Sequence, residues 1–137
     1  MPRKLPLLNP ENTAFWTGGA AGHLRIAHCE SCGILFHPPT PVCPACASLE
    51  IAHKPVSGRA HVVSFTVNHQ AWTPELTVPF VIAIVELVEQ AGVRLLTNII
   101  GVPAERVRIG MPVRVTFEPV EDVWIPLFTA DEEWADA

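Results

Sequence analysis

His28-Cys29-Glu30-Ser31-Cys32-Gly33 and Cys43-Pro44-Ala45-Cys46 hold all four cysteines of the chain, in two CxxC pairs with ten residues between them. A CxxC turn aims two sulfurs at one spot, and two such turns joined by a short connection place four thiolates at tetrahedral corners, the arrangement of a closed zinc site. Each pair is half of a site. A disulfide framework needs an oxidising compartment and does not account for paired CxxC turns, and a redox motif is complete with one pair. The spacing therefore predicts a metal site built from Cys29, Cys32, Cys43 and Cys46, with Zn²⁺ preferred and iron the alternative ion.

Four protein ligands leave no open position for water or substrate, so the metal is read as structural. His28 and His37 flank the cysteines but are not needed as ligands, and they are read as solvated loop histidines.

Working outward, 137 residues suffice for one ordinary domain, or for one domain with a small module that buries little core of its own. Bound zinc explains how such a module holds together, contributing on the order of 10 kcal/mol of folding free energy. The N-terminal stretch from Met1 to Pro10 is basic at Arg3 and Lys4, but prolines break its apolar part and it does not read as a signal peptide. The longest apolar run, Phe80 to Val85, is far short of the roughly 20 residues of a membrane helix. A soluble, cytoplasmic protein is expected, in a compartment that keeps thiols reduced.

The net charge of −5 is unevenly distributed. No basic residue follows Arg114, whereas Glu118, Glu121, Asp122, Asp131, Glu132, Glu133 and Asp136 make up seven of the fourteen acids. The body up to Thr116 thus carries nine bases against seven acids, a formal +2 that four thiolates on a divalent metal cancel. It lacks the dense basic stripe that holds nucleic acid by counterion release.

Residues 1–23 read as an N-terminal segment with a short helix starting near Asn12 or Thr13 and fraying at Gly18-Gly19. Residues 24–57 form the metal-binding ribbon, with Leu24 to Ala27 leading in, Ile34 to Phe36 leading out, and the proline-rich connection His37 to Pro41 setting the span between the cysteine pairs. Beyond Ser57-Gly58 the pattern changes to long strands. Arg59 to His69 alternates, with Val63, Phe65 and Val67 on one side. Phe80 to Val88 reads as a strand covered on both faces, and Val93 to Ile100 returns after the turn at Gln90-Ala91-Gly92. A helical turn near Pro103 precedes Val113 to Glu118, whose residues Val113, Val115 and Phe117 point inward. A last run from Val123 to Phe128 closes the sheet. Five strands with a short helical turn between the third and fourth outline an OB-fold barrel over 58–129, followed by an acidic tail at 130–137.

Taken together, these residues resemble a family in which a rubredoxin-like zinc ribbon precedes a small OB-fold, long catalogued as a domain of unknown function and associated with acyl-CoA. The resemblance rests on Phe15-Trp16, Cys29-x-x-Cys32-Gly33, Pro38-Pro39, Cys43-Pro44-x-Cys46, Gly58, Pro79-Phe80-x-Ile82-Ala83-x-Val85-x-Leu87, Ile109-Gly110-x-Pro112-Val113-x-Val115 and Pro126-x-Phe128. It implies a mainly β protein that serves as an accessory subunit of thiolase-like, aldolase or hydratase enzymes. In such assemblies the partner supplies the catalytic residues, and the accessory subunit helps to form the acyl-CoA site. Only the four cysteines carry over residue by residue.

The chain's own residues agree that catalysis lies elsewhere. There is no GxSxG elbow, no cysteine outside the metal site, and no pair of carboxylates framed by apolar neighbours. His61, Phe65 and His69 are read onto one strand face that frames a general base only weakly. Arg59, Arg94 and Arg114 are the candidate contacts to the phosphates of acyl-CoA, with Arg106 and Arg108 also on the barrel. Phe15, Trp16, Trp124 and Trp134 are the candidate anchors of a partner interface. Two rival readings remain open at this stage. Nucleic-acid binding suits both modules, but the chain has no tyrosine and its tryptophans are scattered. Electron transfer through an iron-loaded site lacks a second redox centre.

Overall fold

The computed structural model describes residues 5–71, 74 and 77–131. Asn9 and Asn12 cap each other, each backbone N–H donating to the other's side-chain oxygen at 2.8 Å, and Thr13 Oγ1 donates to the Asn9 carbonyl. From this turn springs helix α1 (Thr13–Thr17), which tightens into a 3-10 turn over Gly18–Ala21. The glycine pair does more than fray the helix. A Cβ on Gly19 would sit 2.6 Å from both the Phe117 ring and Trp124 Cβ, so this turn lies directly on the barrel.

Strands β1 (Leu24–Cys29), β2 (Leu35–Phe36) and β3 (Ile51–Val56) form an antiparallel sheet in the order β2-β1-β3. The β1–β3 register runs from Leu24 opposite Val56 to Cys29 opposite Ile51. β3 is absent from the pattern reading because it is an edge strand of half-buried and exposed residues carrying Pro55, which an edge tolerates.

The barrel comprises β4 (Arg59–Asn68), β5 (Phe80–Leu87), β6 (Arg94–Ile100), β7 (Pro112–Val120) and β8 (Val123–Ala130), with a 3-10 turn at Ala104–Arg106 between β6 and β7. It closes in the order β4-β5-β6-β8-β7, as the five-strand outline predicts. The closing β6–β8 ladder is parallel and short, pairing Ile99 with Phe128 and Ile100 with Thr129. Where it stops, the buried Thr97 hydroxyl donates to the Pro126 carbonyl at 3.1 Å and continues the connection with a side chain.

Two details differ from the pattern reading. A bulge between Val62 and Ser64 changes the parity of β4, so Ala60 and Val62 face the core before it and Phe65 and Val67 after it. His61 and Phe65 therefore do not share a face. β5 buries Val81, Ala83, Val85 and Leu87, while Phe80, Ile82 and Ile84 stay partly exposed beside Leu96, which is 74% exposed. This strand is covered on one side, with an apolar outer face.

Ribbon and barrel share a core. Phe15, Leu24 and Ile26 belong to the same buried cluster as Val62, Val85, Val113 and Phe128. The ribbon is also held from outside by Gln90 in the β5–β6 turn, whose Oε1 accepts the Leu35 N–H at 2.9 Å while its Nε2 donates to the Leu35 carbonyl at 2.7 Å. The side-chain amide thus completes the open edge of β2 as a neighbouring strand would. Gln90→Ala is expected to lower stability by about 1–3 kcal/mol, since it leaves two part-buried backbone groups unpaired. Faster hydrogen exchange at the Leu35 amide, with the β7–β8 amides unchanged, is the check.

Among the described residues no helix is long and apolar enough to cross a membrane.

Candidate metal centre and ligand surface

The two CxxC turns are built alike. In the first, Cys29 N–H donates to the Ile34 carbonyl and Gly33 N–H returns to the Cys29 carbonyl; in the second, Cys43 N–H donates to the Ser48 carbonyl and Ala47 N–H returns to the Cys43 carbonyl. The fifth residue of each turn is left-handed, φ 84° at Gly33 and 64° at Ala47. Glycine takes this conformation freely, and alanine does so against steric cost. Backbone N–H groups then point at the leading sulfurs, Cys32 N–H at Cys29 Sγ (3.4 Å) and Cys46 N–H at Cys43 Sγ (3.5 Å). Ser31 and Ser48 hydroxyls, 2.8 Å apart, tie the turns together.

The result is one site. Cys29 and Cys46 sulfurs lie 3.5 Å apart, Cys32 and Cys43 sulfurs 3.7 Å apart, and all four fall within 4.8 Å of one another. Zinc–sulfur bonds of about 2.3 Å in a tetrahedron require sulfur–sulfur edges of about 3.8 Å, so the donor set fits a four-coordinate ion. Cys29 and Cys43 are buried, whereas Cys32 and Cys46 are open to the surface. The sulfurs differ in acidity. The Cys32 backbone N–H, ahead of those of other groups, pulls Cys29 down to about 6. Cys46 is pushed up to about 12, because although the Ser48 N–H favours its thiolate, the Cys29 sulfur and burial together outweigh that donor. A dication binding here displaces the protons these thiols retain, which makes its affinity fall as pH falls.

The flanking histidines are not ligands, and one is not solvated. His37 packs on Phe15 with ring centroids 4.7 Å apart, its Nδ1 is shielded without a hydrogen-bond partner, and burial lowers its pKa to about 4. His28 instead lies 3.0 Å from Glu30.

The expected interface aromatics are largely occupied within the chain. Phe15 is 7% exposed in the core, edge-on to Trp16, and so has almost no surface to offer a partner. Trp16 packs against the same core and Trp124 lies against the Gly18–Ala21 turn, both only part-exposed. Trp134 falls outside the described residues.

The three candidate arginines separate. Arg94 is held by Glu86 at 3.1 Å, and that carboxyl is kept below its usual range by the Gly92 N–H, then by Arg94. Arg59 and Arg114 are exposed and directly opposite each other on β4 and β7. His61 lies 3.6 Å from Glu86 on the outer surface, and Phe65 does not share its face. The pattern reading passed over a cleft of about 130 Å³ lined by Val102, Arg106, Arg108, Met111, Pro112, Ala130 and Asp131.

Residues 16–52 match the rubredoxin-like zinc ribbon domain of ChsH2, and residues 53–118 match its C-terminal OB-fold domain. The chain belongs to the ChsH2 zinc-ribbon and OB-fold family. It is 42% identical over 127 residues to the 3-oxo-4,17-pregnadiene-20-carboxyl-CoA hydratase alpha subunit of Mycobacterium tuberculosis, and 35% identical over 127 residues to a probable enoyl-CoA hydratase alpha subunit of Thermomonospora curvata. The alignments take in 93% and 92% of this chain but only 40% and 39% of those subunits. A DUF35 domain-containing scaffold protein of Methanocaldococcus jannaschii is 34% identical over 69% of this chain and 67% of its own length. Among solved structures, the Ltp2-ChsH2(DUF35) aldolase contains a chain 37% identical to this one with a TM-score of 0.79, covering 92% of this ChsH2-family chain and 98% of that one. A DUF35 protein of Sulfolobus solfataricus, 22% identical with a TM-score of 0.64 over 89% of this chain and 86% of its own, shares the fold.

Proposed function

We propose that this ChsH2-family chain is a non-catalytic accessory subunit that binds a hydratase or aldolase partner, or a thiolase-like relative of one, and helps to form that enzyme's acyl-CoA site. The reading is carried by the likeness to the ChsH2(DUF35) chain of an aldolase assembly along nearly that chain's whole length. It is supported by the metal site, whose four protein sulfurs leave no coordination position for substrate. Zinc is the resident ion on this reading, in a cytoplasmic setting that keeps the thiols reduced. None of the relatives named above is named for nucleic-acid binding.

Co-expression with a hydratase or aldolase subunit as partner, followed by size exclusion, tests the proposal. Co-elution as a stable complex is expected, with acyl-CoA turnover by the complex and none by the isolated chain. Substantial turnover by the isolated chain, or no complex with any such partner, overturns it.

A further inference from the structure

Like charges directly opposite on paired strands repel, and Arg59 and Arg114 occupy such a pair. Paired residues have Cα atoms about 4.5–5.5 Å apart. Both side chains leave the same face of the barrel, because their chain neighbours Ala60 and Val113 are fully buried in its core. Among the described residues neither guanidinium has a carboxylate within ion-pair distance. The acids of β5 and of the β5–β6 turn are engaged elsewhere, Glu86 by Gly92, Arg94 and His61, and Glu89 by the Ser57 N–H at 2.7 Å.

The next position across the sheet continues the row. Thr129 of β8 is opposite Arg114, and its half-buried hydroxyl makes no hydrogen bond among the described residues. Gly101 keeps the space beside it clear, since a Cβ there would come within 2.7 Å of Thr129 Oγ1. Two planar guanidinium forks and a hydroxyl on adjacent strands are the donor set of an oxyanion site, and phosphate accepts paired N–H groups from arginine in this manner.

We infer that Arg59, Arg114 and Thr129 form a binding site for the phosphate group of a ligand. The inference deepens the acyl-CoA reading, on which the carrier of that phosphate rests; the anion chemistry stands on the three side chains. An anion between the arginines removes their repulsion, whereas Arg94, already neutralised by Glu86, takes no part.

The test is calorimetric titration of the metal-loaded full chain at low ionic strength with inorganic phosphate, adenosine 3′,5′-bisphosphate and CoA. R59Q and R114Q are each expected to weaken binding of the bisphosphate about 10- to 100-fold, the worth of a hydrogen bond to a charged group. T129V should weaken it less and R94Q leave it unchanged. Tighter binding of the bisphosphate and CoA than of inorganic phosphate assigns the site to a phosphate ester; equal binding assigns it to the bare anion, and both outcomes keep the site. No binding by the wild-type chain, equal binding by the R59Q/R114Q double variant, or an equal loss in R94Q overturns it. A chain that co-elutes with its partner but binds none of the three probes refutes this inference and leaves the accessory reading standing. Binding without any partner does the reverse.

Discussion

Cys43→Ser is expected to release the metal and unfold the outer part of the ribbon while the barrel stays folded. Around the sulfurs the buried cluster is only Ala27, Cys29, Phe36 and Cys43, fringed by Ile34 and Ile51. So small a cluster does not order the outer turns of the ribbon by itself, and their folding is coupled to metal binding, which contributes on the order of 10 kcal/mol. Disorder should not spread through the whole ribbon, because Leu24 and Ile26 at the start of β1 are buried in the barrel cluster. Metal analysis of the purified variant should find the ion lost. Its amide spectrum should lose dispersion for residues 28–50 and keep it for the five barrel strands. Native ribbon signals in metal-free protein would show that the cluster holds itself together.

The parts of this architecture legible in the sequence are those written in local spacing. The CxxC pairs specify their turns within four residues each, and the run of alternating strands around a short helical turn outlines the barrel. What was not legible depends on register between distant strands. The bulge after Val62 reverses the parity of β4, so a face containing both His61 and Phe65 follows from strict alternation and does not exist in the fold. Gln90 reads as an ordinary turn residue, and its pairing with Leu35 spans 55 positions. Phe15 is adjacent to Trp16 in a helix of five residues, which suggests surplus aromatic surface until Leu24 and Ile26 are seen to share its core. Arg59 and Arg114 are brought opposite each other only through the β4–β7 ladder, and no spacing in the chain announces it.

Gly58 connects that ladder to the ribbon, and Gly58→Ala is expected to destabilise the fold strongly for so small a change. Its φ is +83°, a conformation that costs an alanine about 1–2 kcal/mol. A Cβ there would also lie 2.4 Å from Val115 Cγ1, an overlap whose relief costs a further 1–3 kcal/mol or so. Together these come to about 2–5 kcal/mol, a large share of the roughly 5–15 kcal/mol that holds a domain folded. The contact cannot slip aside cheaply, because Val115 N–H donates to the Gly58 carbonyl at 2.8 Å and Val115 packs against the barrel core. Urea unfolding of Gly58→Ala, Val115→Ala and the double variant separates the two causes. Val115→Ala should destabilise by itself, but the double variant should be less destabilised than the sum of the two single variants, since removing Cγ1 removes the overlap and leaves only the strained φ. Simple additivity would mean that the overlap is absorbed elsewhere and the backbone conformation alone matters. Because Arg59 follows Gly58 and Arg114 precedes Val115, any shift that relieves this contact also moves the two arginines relative to each other. Gly58→Ala should therefore weaken phosphate binding even in conditions where the variant remains folded.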